Sequence, residues 1–367
     1  MQIENLVRRE VQQLAPYIPG QSVEDVKKNL GLTEVVNLST NESVLGVSSI
    51  VRDALTSELN TINQYPDGSS RLLRNDIAGR YNLHPDMLII TNGGDELIYL
   101  LCACFISPGE EIIIGEYGFS TYTIAGQLYG AKIRKVSLKN GYLDLSEMAG
   151  QVSKKTKMIF LCNPHNPDGT IFTHRVLESF LDKIPEDIIV VLDEAYADFV
   201  ENPEFSDSKS LIKYNSHYII SLRTFSKIGG IAGLRIGFGT ARRELLSCLR
   251  KVQPPYSVNR MAQVAARAFL SDENYRERLL KNNKQGKRYL YRQFNRLNLF
   301  YYPTEANFIF VDTGIDADII CKKLIEKGVI VRSGKVWGKD SYIRVTIGTE
   351  EYNRKFIKAL EEITSDN

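Results

Sequence analysis

Short runs of residues that are apolar at every position recur along this chain, and helical segments separate them. In the run Ile188-Ile189-Val190-Val191-Leu192, for example, no position is polar. Such a run is typical of a β-strand that is covered on both faces. Strands of this kind that alternate with helices predict an α/β fold, in which a three-layer domain holds an open, mostly parallel sheet between two layers of helices. Seven strands are predicted for this sheet, at 87–91, 111–115, 132–136, 157–161, 188–193, 217–222 and 235–239.

The chain divides into three predicted parts, and its 367 residues are sufficient for one large and one small domain. Residues 1–40 form an N-terminal arm, which we expect to pack with the small domain or with a partner subunit. Residues 41–265 form the large domain, and residues 266–367 form a smaller α+β domain. Further helices are predicted at 23–30 (capped by Ser22), 49–58, 71–81, 260–297 and 350–363, and further strands at 35–38, 308–311, 329–332 and 342–346.

Composition and charge argue against several classes of protein. A net charge of +2 gives no electrostatic basis for binding nucleic acid or an anionic membrane, and acidic residues interrupt the basic run at 276–296. The longest apolar run, 97–106, is too short to span a bilayer, and the N-terminus lacks a signal-peptide core. We therefore expect a cytoplasmic protein. Five cysteines without a CxxC pair and four histidines without ligand spacing predict no disulfide, no metal site and no Ser-His-Asp triad.

The stretch from Ser221 to Gly239 concentrates residues that can carry chemistry. Lys227 is its only lysine, and desolvation would lower the pKa of that amine and free it for Schiff-base chemistry. A glycine-rich turn follows, which lets the backbone approach a bulky ligand. Ser226 and Arg235 supply a hydroxyl and a guanidinium, which together make a suitable phosphate clamp. The alternative interpretation is a surface lysine in a polar turn.

Three other polar clusters follow predicted strands, where parallel sheets bind their ligands. The turn at Gly94 and Asp95 opens an apolar helix, whose free N–H groups can hold an anion. A simple strand-to-helix turn is the alternative there. Two Asn-Pro steps hold Asn166 in a rigid loop. Asp193 ends a fully apolar strand, so its carboxylate would need a cationic or hydrogen-bonding partner, unless it only caps the next segment.

The order and spacing of these clusters resemble those of the class I and II aminotransferases of fold type I, which depend on pyridoxal phosphate. The shared features are the glycine turn, the Asn-Pro loop, Asp193 with Tyr196 three positions later, the Ser226-Lys227 pair, and Arg235 eight positions after the lysine. Within this family the chain is most similar to the histidinol-phosphate aminotransferases. That closer similarity includes the segments 16–20, 41–42, 65–68, 303–308, 331–332 and 343–349.

The resemblance implies a role for each of these residues, with Lys227, Asp193 and Tyr196 as the catalytic ones. Lys227 would bind pyridoxal phosphate covalently and later move a proton at the substrate's Cα. Asp193 would pair with the pyridine nitrogen and keep it protonated. Tyr196 and Asn166 would bond the ring's phenolic oxygen, and Phe119 would stack on the ring. The groups that would hold the phosphate are Gly94, Asp95, Ser226, Arg235 and Tyr65 of the partner subunit.

The implied reaction is a ping-pong transfer of an amino group between L-histidinol phosphate and 2-oxoglutarate or glutamate, in histidine biosynthesis. It would be carried out by a homodimer with shared active sites. Arg344 would bind the substrate carboxylate, and Arg332, together with Tyr17, would bind the substrate phosphate. Histidinol phosphate has a phosphate and no carboxylate, whereas glutamate has two carboxylates. Arginines that accept either oxyanion therefore suit a pocket that both substrates share.

The chain also departs from the family's usual pattern at three places. Asp168 stands where threonine is usual, Ser43-Val44 replaces Asn-Pro, and Gly94 replaces serine or alanine. An aromatic-amino-acid aminotransferase is the nearest alternative, followed by a relative that uses the same cofactor for decarboxylation or oxidation. A non-catalytic regulatory relative would be expected to lose Lys227 or Asp193, and both residues are present.

Overall fold

The computed structural model describes residues 3–16, 20–206 and 208–365 of the chain. A seven-stranded sheet lies at its centre, and each of the seven segments predicted for this sheet contributes one strand. The bounds agree with the predicted ones to within two residues. The strands are β1 (Val36–Asn37), β2 (Leu88–Thr91), β3 (Glu111–Gly115), β4 (Lys132–Val136), β5 (Thr156–Cys162), β6 (Ile189–Asp193), β7 (Tyr218–Thr224), β8 (Gly237–Ala241), β9 (Phe308–Asp312), β10 (Val329–Ile330), β11 (Arg332–Ser333) and β12 (Tyr342–Thr346).

Strand order in the central sheet is β2-β8-β7-β6-β5-β3-β4. β8 is antiparallel to both of its neighbours, and the other pairs are parallel. The last residues of β5 and β6 are in register, so that Cys162 lies beside Asp193, and Asp193 lies beside Leu222 of β7. The loops that follow β5, β6 and β7 therefore begin at the same edge of the sheet.

Alternate residues of β6 explain why this strand is apolar at every position. Ile189 and Val191 pack in one buried cluster, whereas Val190 and Leu192 pack in another. Successive side chains of a strand point to opposite faces, so both faces of the sheet are covered by helices. The predicted three-layer α/β arrangement is thus confirmed. The helices are α1 (Arg9–Gln12), α2 (Val23–Leu30), α3 (Ser49–Glu58), α4 (Arg71–Tyr81), α5 (Gly93–Phe105), α6 (Ser120–Leu128), α7 (Leu145–Gly150), α8 (His174–Leu181), α9 (Ser208–Tyr214), α10 (Arg243–Val252), α11 (Arg260–Leu270), α12 (Glu273–Arg296), α13 (Ala317–Glu326) and α14 (Glu350–Ser365).

The C-terminal strands form a second, smaller structure. β9, β12 and β11 make an antiparallel sheet, while β10 pairs in parallel with β1 from the N-terminal part of the chain. Residues of β1, β9, β12, α12, α13 and α14 share one buried apolar cluster. The boundaries at residues 40 and 265 stay a prediction.

Two local predictions were wrong. The helix predicted at 260–297 is two helices, because Asp272 begins α12 by accepting a hydrogen bond from the Tyr275 N–H at 3.0 Å. The strand predicted at 329–332 is divided between β10 and β11, which belong to different sheets. The short strand predicted at 35–38 is confirmed as β1, whose bounds differ from it by one residue at each end.

The Ser22 cap of α2 is confirmed, since its hydroxyl accepts from the Asp25 N–H at 3.0 Å. Tyr17, predicted to bind substrate, lies outside the described residues. Across 3–16, 20–206 and 208–365, no helix is both long and apolar enough to cross a membrane. Over the same ranges, no group of three or more His, Cys, Asp or Glu side chains could hold a metal ion.

Candidate active site

One cavity lies at the edge where β5, β6 and β7 end, and its volume is about 170 Å³. Side chains and backbone from four separate loops meet in it, which is the expected place for a ligand on a parallel sheet. All the residues predicted to bind the cofactor within one subunit line this cavity. They are Gly94, Asp95, Phe119, Asn166, Asp193, Tyr196, Ser226, Lys227 and Arg235.

Lys227 enters the cavity from the turn after β7. Its Nζ donates a hydrogen bond to the Thr40 carbonyl oxygen at 2.8 Å. Burial, with the positive charge of Arg344 nearby, lowers the pKa of Lys227 to about 8. Both effects disfavour the charged form of the amine. The uncharged, nucleophilic form of Lys227 is therefore more populated near neutral pH than that of an exposed lysine.

Asp193 lies at the end of β6 and is 4% exposed. The Tyr122 hydroxyl donates a short hydrogen bond to Oδ2, and the Ala195 N–H donates to Oδ1 at 3.0 Å. Burial raises the pKa of Asp193, whereas these two hydrogen bonds act in the opposite direction. A buried carboxylate in such a place can pair with a cationic or N–H group of a ligand.

The first turn of α5 forms the anion-binding end of the cavity. Gly93 has a φ of 78°, and a Cβ there would lie 2.7 Å from Nη2 of Arg235, so glycine is needed at this position. Arg235 reaches the Ser226 hydroxyl at 3.4 Å and the Asp95 carboxylate at 3.2 Å. A helix N-terminus, a hydroxyl and a guanidinium thus meet in a space that suits a phosphate group.

At the other end of the cavity, Arg344 contacts the lining residue Asn166 without lining the cavity itself. The Arg344 guanidinium donates to Asn166 Oδ1 at 2.6 Å, and its carbon lies 5.2 Å from the centre of the Trp337 ring. Tyr196 links this end to the cavity floor, because its hydroxyl accepts from Asn41 Nδ2 at 3.1 Å and from Asn166 Nδ2 at 3.5 Å. The cavity therefore has an anion site near Arg235, and the Arg344 guanidinium lies next to its lining residue Asn166.

Two predicted residues lie away from the cavity. Tyr65 is 79% exposed and stacks on Tyr256, with 4.8 Å between ring centres. Arg332 lies on β11 directly opposite Arg344 on β12. Opposed residues of an antiparallel pair point to the same face, so the side chains of Arg332 and Arg344 lie on the same face of this sheet.

Comparison with known proteins gives the family. The family model for aminotransferases of class I and II matches residues 33–360. The chain belongs to the class I and II aminotransferases. It is 42% identical to the histidinol-phosphate aminotransferase of Moorella thermoacetica, over 97% of this chain and 92% of that protein. It is 40% identical to histidinol-phosphate aminotransferase 2 of Carboxydothermus hydrogenoformans, over 98% and 99% of the two chains.

Among solved structures, the crystal structure of histidinol-phosphate aminotransferase from Sinorhizobium meliloti in complex with pyridoxal-5'-phosphate superimposes with a TM-score of 0.89. The match covers 98% of each chain at 24% sequence identity. This likeness shows that the aminotransferase has the predicted fold type I.

Sequence analysis of this aminotransferase did not identify Tyr122 and Trp337 as residues of the site. Tyr122 contacts Asp193 from α6, and the Trp337 indole N–H donates to the Gly118 carbonyl at 3.1 Å from the C-terminal sheet region. Both are single aromatic residues without a motif around them. The only available signal was that Trp337 is the single tryptophan of the chain.

Proposed function

We propose that the protein is a pyridoxal-phosphate-dependent histidinol-phosphate aminotransferase, which transfers an amino group between L-histidinol phosphate and 2-oxoglutarate or glutamate. The observation that carries this proposal is the single cavity in which Lys227, Asp193 and the anion site at Arg235 meet. The two relatives described above, which bear that enzyme's name and match almost the whole chain, support the choice of substrate.

The residues of the cavity fit pyridoxal phosphate. Lys227 offers an amine of lowered pKa for the aldehyde, and Asp193 offers a buried carboxylate for the ring nitrogen. A Cβ at position 93 would displace the Arg235 guanidinium, so the glycine there preserves the position of Arg235 for the phosphate. When bound, the cofactor supplies an aldehyde that exchanges amino groups and a ring that accepts electrons from the substrate.

The chain's own residues would then orient the substrate and move its protons. Lys227 Nζ would take up the proton that leaves the substrate's Cα and release it again later in the reaction. Asp193 holds a proton on the ring nitrogen through its carboxylate. Tyr196, which Asn41 and Asn166 fix by hydrogen bonds, donates to the ring oxygen.

Arg344 and Arg332 would bind the two ends of the substrates. Arg344 is 7% exposed, next to Asn166 and against the Trp337 ring, and it suits the α-carboxylate of glutamate. Arg332 is half-buried on the same face of the sheet, and it suits the phosphate of histidinol phosphate. Tyr17 is included with Arg332 as part of the proposal.

Arg332→Ala is expected to lower kcat/KM for histidinol phosphate about a hundredfold, because a charged hydrogen bond to phosphate is lost. It should change kcat/KM for phenylalanine or tyrosine less than about threefold, since neither has a phosphate. Lys335→Ala is the control, because this nearby cation is paired with Asp316 at 2.5 Å. An equal loss for all donors would remove the phosphate role of Arg332. A wild-type enzyme that prefers aromatic donors would instead identify an aromatic-amino-acid aminotransferase.

Cofactor uptake should depend on pH through Lys227. Below a pKa of about 8 the amine is mostly protonated, and only the neutral amine attacks an aldehyde. The rate at which cofactor-free protein binds pyridoxal phosphate covalently should rise about tenfold per pH unit up to pH 8 and then level off. Stopped-flow absorbance measures this rate, with a model lysine amide as the control for the reagent. A rise that continues beyond pH 9 would contradict a lowered pKa.

The proposal includes a homodimer in the cytoplasm. The large apolar side chains of Ile62, Tyr65 and Tyr256 are at least half exposed. A dimer interface would bury them. Tyr65 would then reach the cofactor phosphate in the partner's active site. The cysteines of the described residues are all free, which fits a reducing compartment.

A further inference from the structure

A buried histidine–aspartate pair lies in the Asn-Pro loop, beside the cavity. His165 Nδ1 is 2.7 Å from Asp168 Oδ2, and the two residues are 3% and 0% exposed. The other ring nitrogen, Nε2, is 3.2 Å from the Tyr117 carbonyl oxygen. The imidazole thus connects the carboxylate of its own loop with the backbone of another loop.

The partners of the imidazole determine where its protons are. A carbonyl oxygen only accepts hydrogen bonds, so His165 Nε2 must carry a proton and donate it to Tyr117. A second proton must lie between Nδ1 and Asp168, because both of these atoms otherwise only accept. Asp168 therefore fixes the orientation of the ring, in which the Nε2 proton points at Tyr117.

The segment that receives this hydrogen bond leads directly to Phe119, which lines the cavity. Its next carbonyl, that of Gly118, accepts from the Trp337 indole at 3.1 Å. Two successive carbonyls are thus held by side chains from two other parts of the chain. His165 is also the neighbour of Asn166, so one loop positions both a ring-facing aromatic and an amide at the cavity.

We propose that the His165–Asp168 pair is a positioning unit, which holds the 117–119 segment so that Phe119 lies over the cofactor ring. This inference rests on the proposed function, because the ring is that of pyridoxal phosphate. The inference explains the aspartate at position 168, because a threonine there would be too short to hold the imidazole. Neither residue touches the reacting atoms, so the pair acts through Phe119 and Asn166.

The chain offers a matched control in a second buried histidine. His217 Nδ1 is 2.7 Å from Asn215 Oδ1, and its Nε2 is 3.2 Å from the Ile184 carbonyl oxygen. These two distances equal those of His165, but none of these residues is next in sequence to a residue that lines the cavity, as His165 is to Asn166. Each double variant therefore removes one buried imidazole together with its hydrogen-bond partner. Only the His165–Asp168 pair is next to the proposed cofactor.

Three variants of the full-length enzyme test the positioning role. The double variant H165A/D168A leaves no unpaired buried charge, so it should fold, and N215A/H217A is its control. Asp168→Asn keeps the size of the side chain and can donate to Nδ1, which preserves the proton on Nε2. The measurements are kcat and KM, the visible circular dichroism of the bound cofactor, and amide hydrogen exchange of residues 115–123.

H165A/D168A is expected to lower kcat about ten- to a hundredfold with a smaller change in KM, to alter the visible circular dichroism, and to speed exchange in 115–123. Asp168→Asn should stay within about threefold of wild type. N215A/H217A should lower the melting temperature without any of these effects. Unchanged exchange and dichroism in H165A/D168A, or equal losses in the control, would overturn the inference. A wild type without aminotransferase activity would refute the proposed function, while the exchange data would still decide whether the pair holds the segment.

Discussion

Lys227→Ala protein is expected to lack the visible absorbance of a lysine-bound cofactor and to transaminate at least about a thousandfold more slowly than wild type. Lys227 supplies the amine of the cavity, and the other lining residues of the described chain include no second lysine. Without it, no side chain there can bind the aldehyde covalently or move the proton at the substrate's Cα. Absorbance spectra of the purified protein and single-turnover kinetics with histidinol phosphate measure the two losses.

A second buried lysine provides the control for this experiment. Lys287 is 8% exposed, and its Nζ pairs with Glu201 at 3.0 Å, away from the cavity. Lys287→Ala should lower the stability of the fold and leave the cofactor absorbance intact. If Lys227→Ala kept the absorbance, or if Lys287→Ala lost it, the assignment of the cofactor to Lys227 would be wrong.

The parts of the fold that could be predicted are those in which local pattern and tertiary environment agree. β6 is apolar at every position because both of its faces are buried, so its sequence alone identifies a central strand. The break between α11 and α12 is different. Ser271 and Asp272 are compatible with a helix in a charged region, and only the hydrogen bond from Tyr275 to Asp272 marks a new start. The separation of β10 from β11 depends on distant partner strands, which no local pattern encodes.

The residues of the candidate site likewise divide into those that local sequence predicts and those that depend on tertiary contacts. Lys227, Asp193 and Arg235 could be predicted because each follows a strand and belongs to a spaced motif, and the structure places all three in one cavity. Tyr122 could not be predicted, because its hydrogen bond to Asp193 forms only when the fold brings α6 to the end of β6. The His165–Asp168 contact was equally hidden, since Asp168 was recognised only as a departure from the usual threonine. Contacts between loops are decided by the whole fold, and a single sequence does not display them.

Asp193→Asn is expected to lower kcat about a hundredfold or more while the cofactor stays covalently bound. The substitution preserves the volume of the side chain, so the cavity keeps its shape. The amide cannot carry the negative charge that holds a proton on the ring nitrogen, and electron withdrawal by the ring is weakened. Lys227 is unchanged, so the visible absorbance should persist. This combination, slow turnover with retained absorbance, separates the role of Asp193 from that of Lys227.

The next residue in the chain makes this test specific, because Glu194 is a carboxylate as buried as Asp193 but faces a different partner. Asp193 and Glu194 are 4% and 2% exposed, and Glu194 Oε2 accepts from Arg223 Nε at 3.1 Å. Glu194→Gln should lower the free energy of unfolding by about 3 kcal/mol, because the charge of Arg223 loses its carboxylate. It should change kcat less than about threefold, since Glu194 does not line the cavity. A loss of kcat as large as that of Asp193→Asn would mean that neutralising either buried carboxylate at the end of β6 slows turnover, and Asp193 would lose its assigned contact with the ring nitrogen.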